Sequence, residues 1–139
     1  MAKYLIGIDE AGRGPLAGPV TVGVVSLPTN FDWSLLPGVG DSKKISPVKR
    51  EQIFKEATQL RKEGMLNFQV VSSSHFIIDS KGIVFAIKRA MKQGLDKLQL
   101  EPNDCQVLLD GALRAPSEFL NQQTIIKGDA TEPAIGLAS

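Results

Sequence analysis

Residues 4–14 read Tyr4-Leu5-Ile6-Gly7-Ile8-Asp9-Glu10-Ala11-Gly12-Arg13-Gly14, and no other stretch constrains the chain as strongly. An apolar run, too short for a helix, climbs to two adjacent carboxylates and breaks into an arginine flanked by glycines. The spacing predicts a buried strand over Tyr4–Ile8 that ends on acid at the rim of a hydrophobic core. Two like charges in that position are costly unless a cation neutralises them. A solvated strand end is the plain alternative for any acidic pair. The residues that follow favour chemistry instead. Gly12 and Gly14 permit close backbone approach, and the Arg13 guanidinium matches a phosphate bidentately. A cation-binding pair beside a phosphate clamp suits phosphoester chemistry.

The chain continues as alternating strands and helices. Pro19–Leu27 is β-branched and bounded by Gly18 and Pro28, so it reads as a second strand antiparallel to the first. Ser46-Pro47 supplies an N-cap and a first-turn proline for a helix carrying Ile53, Ala57 and Leu60 on one face, stopped by Gly64. Leu66–Val71 reads as a third strand. A long helix follows from Ile83 to Leu98, with Ile83, Ala86, Ile87, Ala90, Met91, Leu95 and Leu98 at helical spacing. Gln106–Leu109 and Thr124–Ile126 read as short strands; the first runs into Asp110 and the second into Asp129. The expectation is one α/β domain over residues 1–139, a mixed sheet flanked by helices. Pro133 opens an apolar helix that stops at Ser139 without a cap, so the domain is expected to be incomplete at its C-terminus.

Composition narrows the function classes. Sixteen basic and 15 acidic residues leave a net charge of +1, so no global basic field announces a nucleic-acid partner, although a carboxylate-rich site cancels basic residues around it. One cysteine excludes an internal disulfide framework and suits a reducing compartment. No apolar run approaches the roughly 20 residues a membrane helix needs, and Met1-Ala2-Lys3 leads straight into the first strand. A cytoplasmic, monomeric protein without a membrane partner is expected. His75 has no second ligand near it in sequence and reads as a surface residue. Cys105 reads as a small buried thiol. Trp33 reads as a packing plug, Asp79 and Asp104 as turn or cap residues, and Lys49, Arg50, Lys88 and Arg89 as solvated helix faces.

Three predicted strands end in acid, at Asp9-Glu10, Asp110 and Asp129. Strand ends are where functional groups gather in α/β sheets, and four converging carboxylates suit hard divalent cations such as Mg²⁺ or Mn²⁺. Beyond spacing, the run from Gly7 to Val20 (GIDEAGRGPLAGPV) resembles the opening signature of ribonuclease HII, the type 2 ribonuclease H family. Asp41-Ser42-Lys43-Lys44, Leu109-Asp110-Gly111 and Lys127-Gly128-Asp129-Ala130, with Pro133-Ala134-Ile135 and Ser139 behind them, resemble its later motifs in order. Ile78-Asp79 ahead of Ile83, Ala86, Ala90 and Met91 is similar to the family's long helix. The resemblance covers nearly the whole chain.

The resemblance implies a ribonuclease H-like fold lacking the family's C-terminal helices. It implies catalytic, metal-binding carboxylates at Asp9, Glu10, Asp110 and Asp129. Gly12, Arg13 and Gly14 fall on the family's element for the ribonucleotide 2′-hydroxyl and its phosphate. Ser42, Lys43 and Lys44 fall on its substrate-backbone contacts, which position without reading sequence. The implied activity is hydrolysis of the RNA strand of RNA–DNA hybrids and nicking 5′ of ribonucleotides embedded in duplex DNA, leaving 3′-hydroxyl and 5′-phosphate ends. Two departures stand out. The family's substrate-contacting tyrosine has no counterpart, and Gly82 occupies a position that usually carries asparagine. A second reading is a hybrid-binding chain that does not cut. A third, a small-molecule kinase of the actin and sugar-kinase type, fits Ile6-Gly7-Ile8-Asp9 but not Glu10, which stands where its phosphate loop wants a short polar glycine turn.

Overall fold

The computed structural model describes residues 3–11, 20–32, 35, 47–73, 82–110 and 114–125, with only the backbone described for Ala11, Pro47, Arg50 and Asp110. Five strands form one mixed sheet in the order β3-β2-β1-β4-β5. They are β1 (Tyr4–Ala11), β2 (Val20–Pro28), β3 (Asn67–Ser73), β4 (Cys105–Asp110) and β5 (Gln122–Ile125). β1 pairs antiparallel with β2, and β2 with β3; β1, β4 and β5 run parallel. The α-helices among the described residues are α1 (Pro47–Lys62) and α2 (Ile83–Leu98). Neither is long and apolar enough to cross a membrane.

Alternation along the strands sorts the core into two layers, one on each side of the sheet. Ile6, Ile8, Val22, Val24, Val107 and Leu109 are sealed from solvent and pack with Ala86, Ile87, Ala90, Met91 and Leu95 of α2. Each such side chain contributes about 1.5–3 kcal/mol by leaving water, so the α2 layer is the main stabilising unit. On the other face a smaller cluster joins Ile53, Ala57 and Leu60 of α1 to Val25, Leu27, Leu66 and Leu108. Gly64 ends α1 as expected, at φ +77°, with its amide on the Arg61 carbonyl and the Met65 amide on the Leu60 carbonyl. Gly82 caps α2 at φ +91°, a backbone state open to glycine, so asparagine is not a strain-free alternative at this position.

Strand limits differ from expectation where pairing overrides propensity. β1 does not end at Ile8; the ladder with β2 carries it through Asp9↔Gly23, Glu10↔Val22 and Ala11↔Thr21. β3 likewise runs on to Ser73, because Ser72 and Ser73 pair with Thr21 and Val20. β5 starts two residues before Thr124, at Gln122, which pairs with Val107 of β4. Lys88 and Arg89 are exposed and Cys105 is buried, as read from the sequence.

Gly94 marks the closest approach of α2 to the sheet. A Cβ there would lie 2.9 Å from Cγ2 of the fully buried Val24 and 3.7 Å from Cγ2 of Val71. Alanine gains about 1 kcal/mol of helix propensity over glycine, while overfilling a packed core costs about 1–3 kcal/mol. Gly94→Ala is therefore expected to lower stability by about 1 kcal/mol in denaturant melts. Adding Val24→Ala should cost less in that background than in the wild type, and strictly additive effects would refute the contact.

Burial and the neighbouring Asp104 carboxylate push the Cys105 thiol up from 9.0 to about 11. Its Sγ lies 3.4 Å from the Glu101 carbonyl oxygen. The folded state therefore holds the proton more tightly than the unfolded chain. The corresponding stability is intact below pH 9 and is lost as pH rises through about 11. Across that window the wild type should lose on the order of 2 kcal/mol relative to Cys105→Ala. Parallel alkaline denaturation curves for the two proteins would contradict this.

Candidate active site

The three parallel strands β1, β4 and β5 point their C-terminal ends to the same edge of the sheet. Their register sets the acids side by side. Ile8 pairs with Leu109 in the last β1–β4 pair, so Asp9 and Asp110 are the next residues on adjacent strands, level with one another. Neighbouring strands lie about 4.8 Å apart, which brings the two backbone positions within reach of one divalent ion. Asp110 in turn pairs with Ile125 of β5. Asp129 follows four positions later and lies outside the described residues, as do Gly12, Arg13, Gly14, Ser42, Lys43 and Lys44. His75, Trp33 and Asp79 also lie outside them.

Asp9 is a buried carboxylate, 7% exposed. Its Oδ1 accepts the Glu10 main-chain amide at 2.8 Å, which fixes the orientation of the carboxylate. Glu10 is half-buried, with Oε2 shielded from solvent. Alternation places these neighbours on opposite faces: Glu10 shares its face with Ile6 and Ile8, and Asp9 shares the α1 face with Leu5. The acidic doublet therefore straddles the sheet edge. Across from Asp9 stands Gly23, so no side chain crowds the carboxylate from β2.

Hard oxygen donors held partly out of water suit Mg²⁺ or Mn²⁺. Asp9 and Glu10 supply two such groups. Among the described side chains no third ligand joins them, and Asp110 and Asp129 are not among those side chains.

Comparison with known proteins places this geometry in a family. The family model described as Ribonuclease HII matches residues 6–139. The ribonuclease HII of Desulfitobacterium hafniense is 42% identical over 136 residues, covering 98% of this chain and 48% of that protein. The chain spans about half the length of the curated relatives it matches first. Among solved structures, ribonuclease HII in the Archaeoglobus fulgidus complex with PCNA superposes with a TM-score of 0.71 at 25% identity, over 97% of this chain and 68% of that one. A ribonuclease HIII, Bst-RNase HIII, solved in complex with Mn²⁺, superposes at 0.67 with 17% identity, over 99% of this chain and 49% of that one, and speaks to the fold alone. The mixed five-stranded sheet with acids at its parallel strand ends is a ribonuclease H-like fold, and the chain belongs to the ribonuclease HII family.

Proposed function

We propose that the protein is a metal-dependent endoribonuclease. It hydrolyses the RNA strand of RNA–DNA hybrids and nicks duplex DNA on the 5′ side of embedded ribonucleotides. The observation that carries this reading is the level placement of Asp9 and Asp110 on adjacent parallel strands, in a chain of the ribonuclease HII family. In this reading Asp9, Glu10, Asp110 and Asp129 hold the Mg²⁺ or Mn²⁺. When bound, such ions activate a water and neutralise a departing oxygen. Gly12, Arg13 and Gly14 grip the ribonucleotide through its 2′-hydroxyl and neighbouring phosphate. Ser42, Lys43 and Lys44 hold the substrate backbone. Attack by water on phosphorus breaks the bond to the 3′ oxygen, leaving a 3′-hydroxyl and a 5′-phosphate. The protein works as a cytoplasmic monomer.

The Asp9 side chain has one task that its own geometry supports. Its Oδ1 is held by the Glu10 amide, so it meets the cation without first reorienting, and preorganisation of this kind is a large part of electrostatic catalysis. The test is an end-labelled DNA duplex with one ribonucleotide, incubated with Mg²⁺, Mn²⁺ or EDTA. A nick 5′ of the ribonucleotide that needs the metal is expected. Hybrid binding without any nick would favour the non-cleaving reading, and neither binding nor cleavage would refute both.

A further inference from the structure

Among the described residues, α1 covers only part of its face of the sheet, and the part it leaves open adjoins Asp9. Along β2 burial alternates from Val20 to Val24, with Thr21 and Gly23 half-exposed, and then becomes continuous from Val24 to Leu27, where α1 packs. β3 repeats the pattern: Val71 and Ser73 are buried against α2, while Val70 is 58% exposed and Ser72 is exposed. Register puts Val70 beside Gly23 and Ser72 beside Thr21, all on the face that Asp9 shares. The Thr21 and Ser72 hydroxyls touch at 3.1 Å and remain open to solvent.

We propose that this shelf of Thr21, Gly23, Val70 and Ser72 seats the sugar–phosphate backbone of the duplex beside the scissile position, with one hydroxyl of the pair donating to a phosphate and the other donating to its partner. The inference rests on the nuclease reading above and extends it to residues outside the family's motifs. Continuity with the acidic strand ends selects this occupant. Thr21 lies diagonally across from Asp9, about 7–8 Å away between Cα atoms, and Ser72 lies about 12 Å away across two strand spacings. Those are distances of a few nucleotides. Serine and threonine hydroxyls are ordinary phosphate donors that position without reading sequence. Gly23, lacking a side chain, lets a backbone come close to the sheet, and Val70 offers an apolar seat for a sugar ring. The paired hydroxyls are neutral, so they can share a face with Asp9 without entering a charge network with it.

The experiment measures binding of a fluorescent duplex carrying one ribonucleotide in Ca²⁺, and cleavage in Mg²⁺ or Mn²⁺. Thr21→Val with Ser72→Ala should raise Kd and KM about five- to tenfold, the scale of one or two lost hydrogen bonds, while kcat stays within about twofold. Ser72→Asp, which sets a carboxylate against the phosphate, should raise both by more than tenfold. Glu51→Gln, on the exposed side of α1, serves as the control and should leave them unchanged. Kd and KM unchanged in the double variant and in Ser72→Asp would overturn the proposal. So would a change confined to self-association in sedimentation, because the shelf would then be a contact between copies. A wild type that neither binds nor cuts the duplex would instead refute the nuclease reading on which the shelf depends.

Discussion

Asp9→Asn is expected to lower cleavage of a ribonucleotide-containing duplex by about 10²-fold or more, the scale on which one preorganised electrostatic group acts. Asparagine keeps the size of the side chain and an oxygen for the Glu10 amide, so the local backbone has no reason to move. What changes is charge. In the wild type, a buried carboxylate stands next to Glu10, whose Oε2 is also shielded. Neighbouring carboxylates repel one another, and a bound cation relieves that repulsion. Without added metal, Asp9→Asn should melt close to the wild type, because the Glu10 amide keeps its acceptor. Adding Mg²⁺ or Mn²⁺ should raise the wild-type melting temperature, because ligands of the folded state stabilise it by mass action. In the variant that gain should shrink or vanish. Full cleavage activity in Asp9→Asn, or an undiminished metal-dependent shift, would remove Asp9 from the metal site. A variant that melts well below the wild type without metal would mean that Asp9 acts structurally.

What could be read from residues alone divides along local and non-local lines. α2 was legible because its signal is local: Ala86, Ile87, Ala90, Met91, Leu95 and Leu98 recur at helical spacing and all are buried. The α1 stop at Gly64 was legible for the same reason, since a glycine following Arg61 and Lys62 ends a helix by its own chemistry. The end of β1 was not. Asp9 and Glu10 carry no strand propensity, and only β2, brought alongside by the turn, supplies the pairs that hold them extended. The two serines closing β3 escaped notice for the same cause. The placement of Asp9 level with Asp110 depends on the β1–β4 register across about a hundred residues, and the letters give the acids without their alignment. Gly94 looks like a blemish in a good helix until Val24 is seen beneath it.

The opposite faces of Asp9 and Glu10 sharpen what the site requires. Two carboxylates on successive strand residues diverge, so an ion that both reach would lie at the sheet edge, at the end of the β1–β2 ladder. The parallel trio β1–β4–β5 forms that edge, and β5 is its outermost strand. Whatever anchors β5 therefore holds the outer strand of that edge in place.

That anchor is Gln122, and Gln122→Glu is expected to be the most damaging single change on this side of the sheet. The Gln122 Nε2 donates to the carbonyl oxygens of Phe119 at 2.9 Å and Ala115 at 3.2 Å, with Pro116 at 3.5 Å, while Oε1 accepts the Ala115 amide at 2.9 Å. One side-chain amide thus closes the segment that delivers buried Ala115 and Phe119 to the α2-side core. Gln122→Ala leaves these groups to water at the partly exposed site and should cost about 1–2 kcal/mol. Gln122→Glu keeps the acceptor for Ala115 but turns a carboxylate oxygen on the carbonyls that Nε2 had served. The loss should reach about 3 kcal/mol at neutral pH, since a charged group in a partly buried, repulsive setting costs more than a missing one. The carbonyls raise the folded-state pKa of the introduced glutamate above its unfolded value, because the protonated acid alone can donate to them. Its deficit should therefore be smallest below the unfolded value, about pH 4.3, and should grow as pH rises through the folded one. Denaturant melts of wild type, Gln122→Ala and Gln122→Glu at pH 7 and near pH 4.5 decide the matter. A glutamate variant no weaker than the alanine variant at pH 7, or a deficit that does not change with pH, would show that Gln122 is not the clasp of this edge.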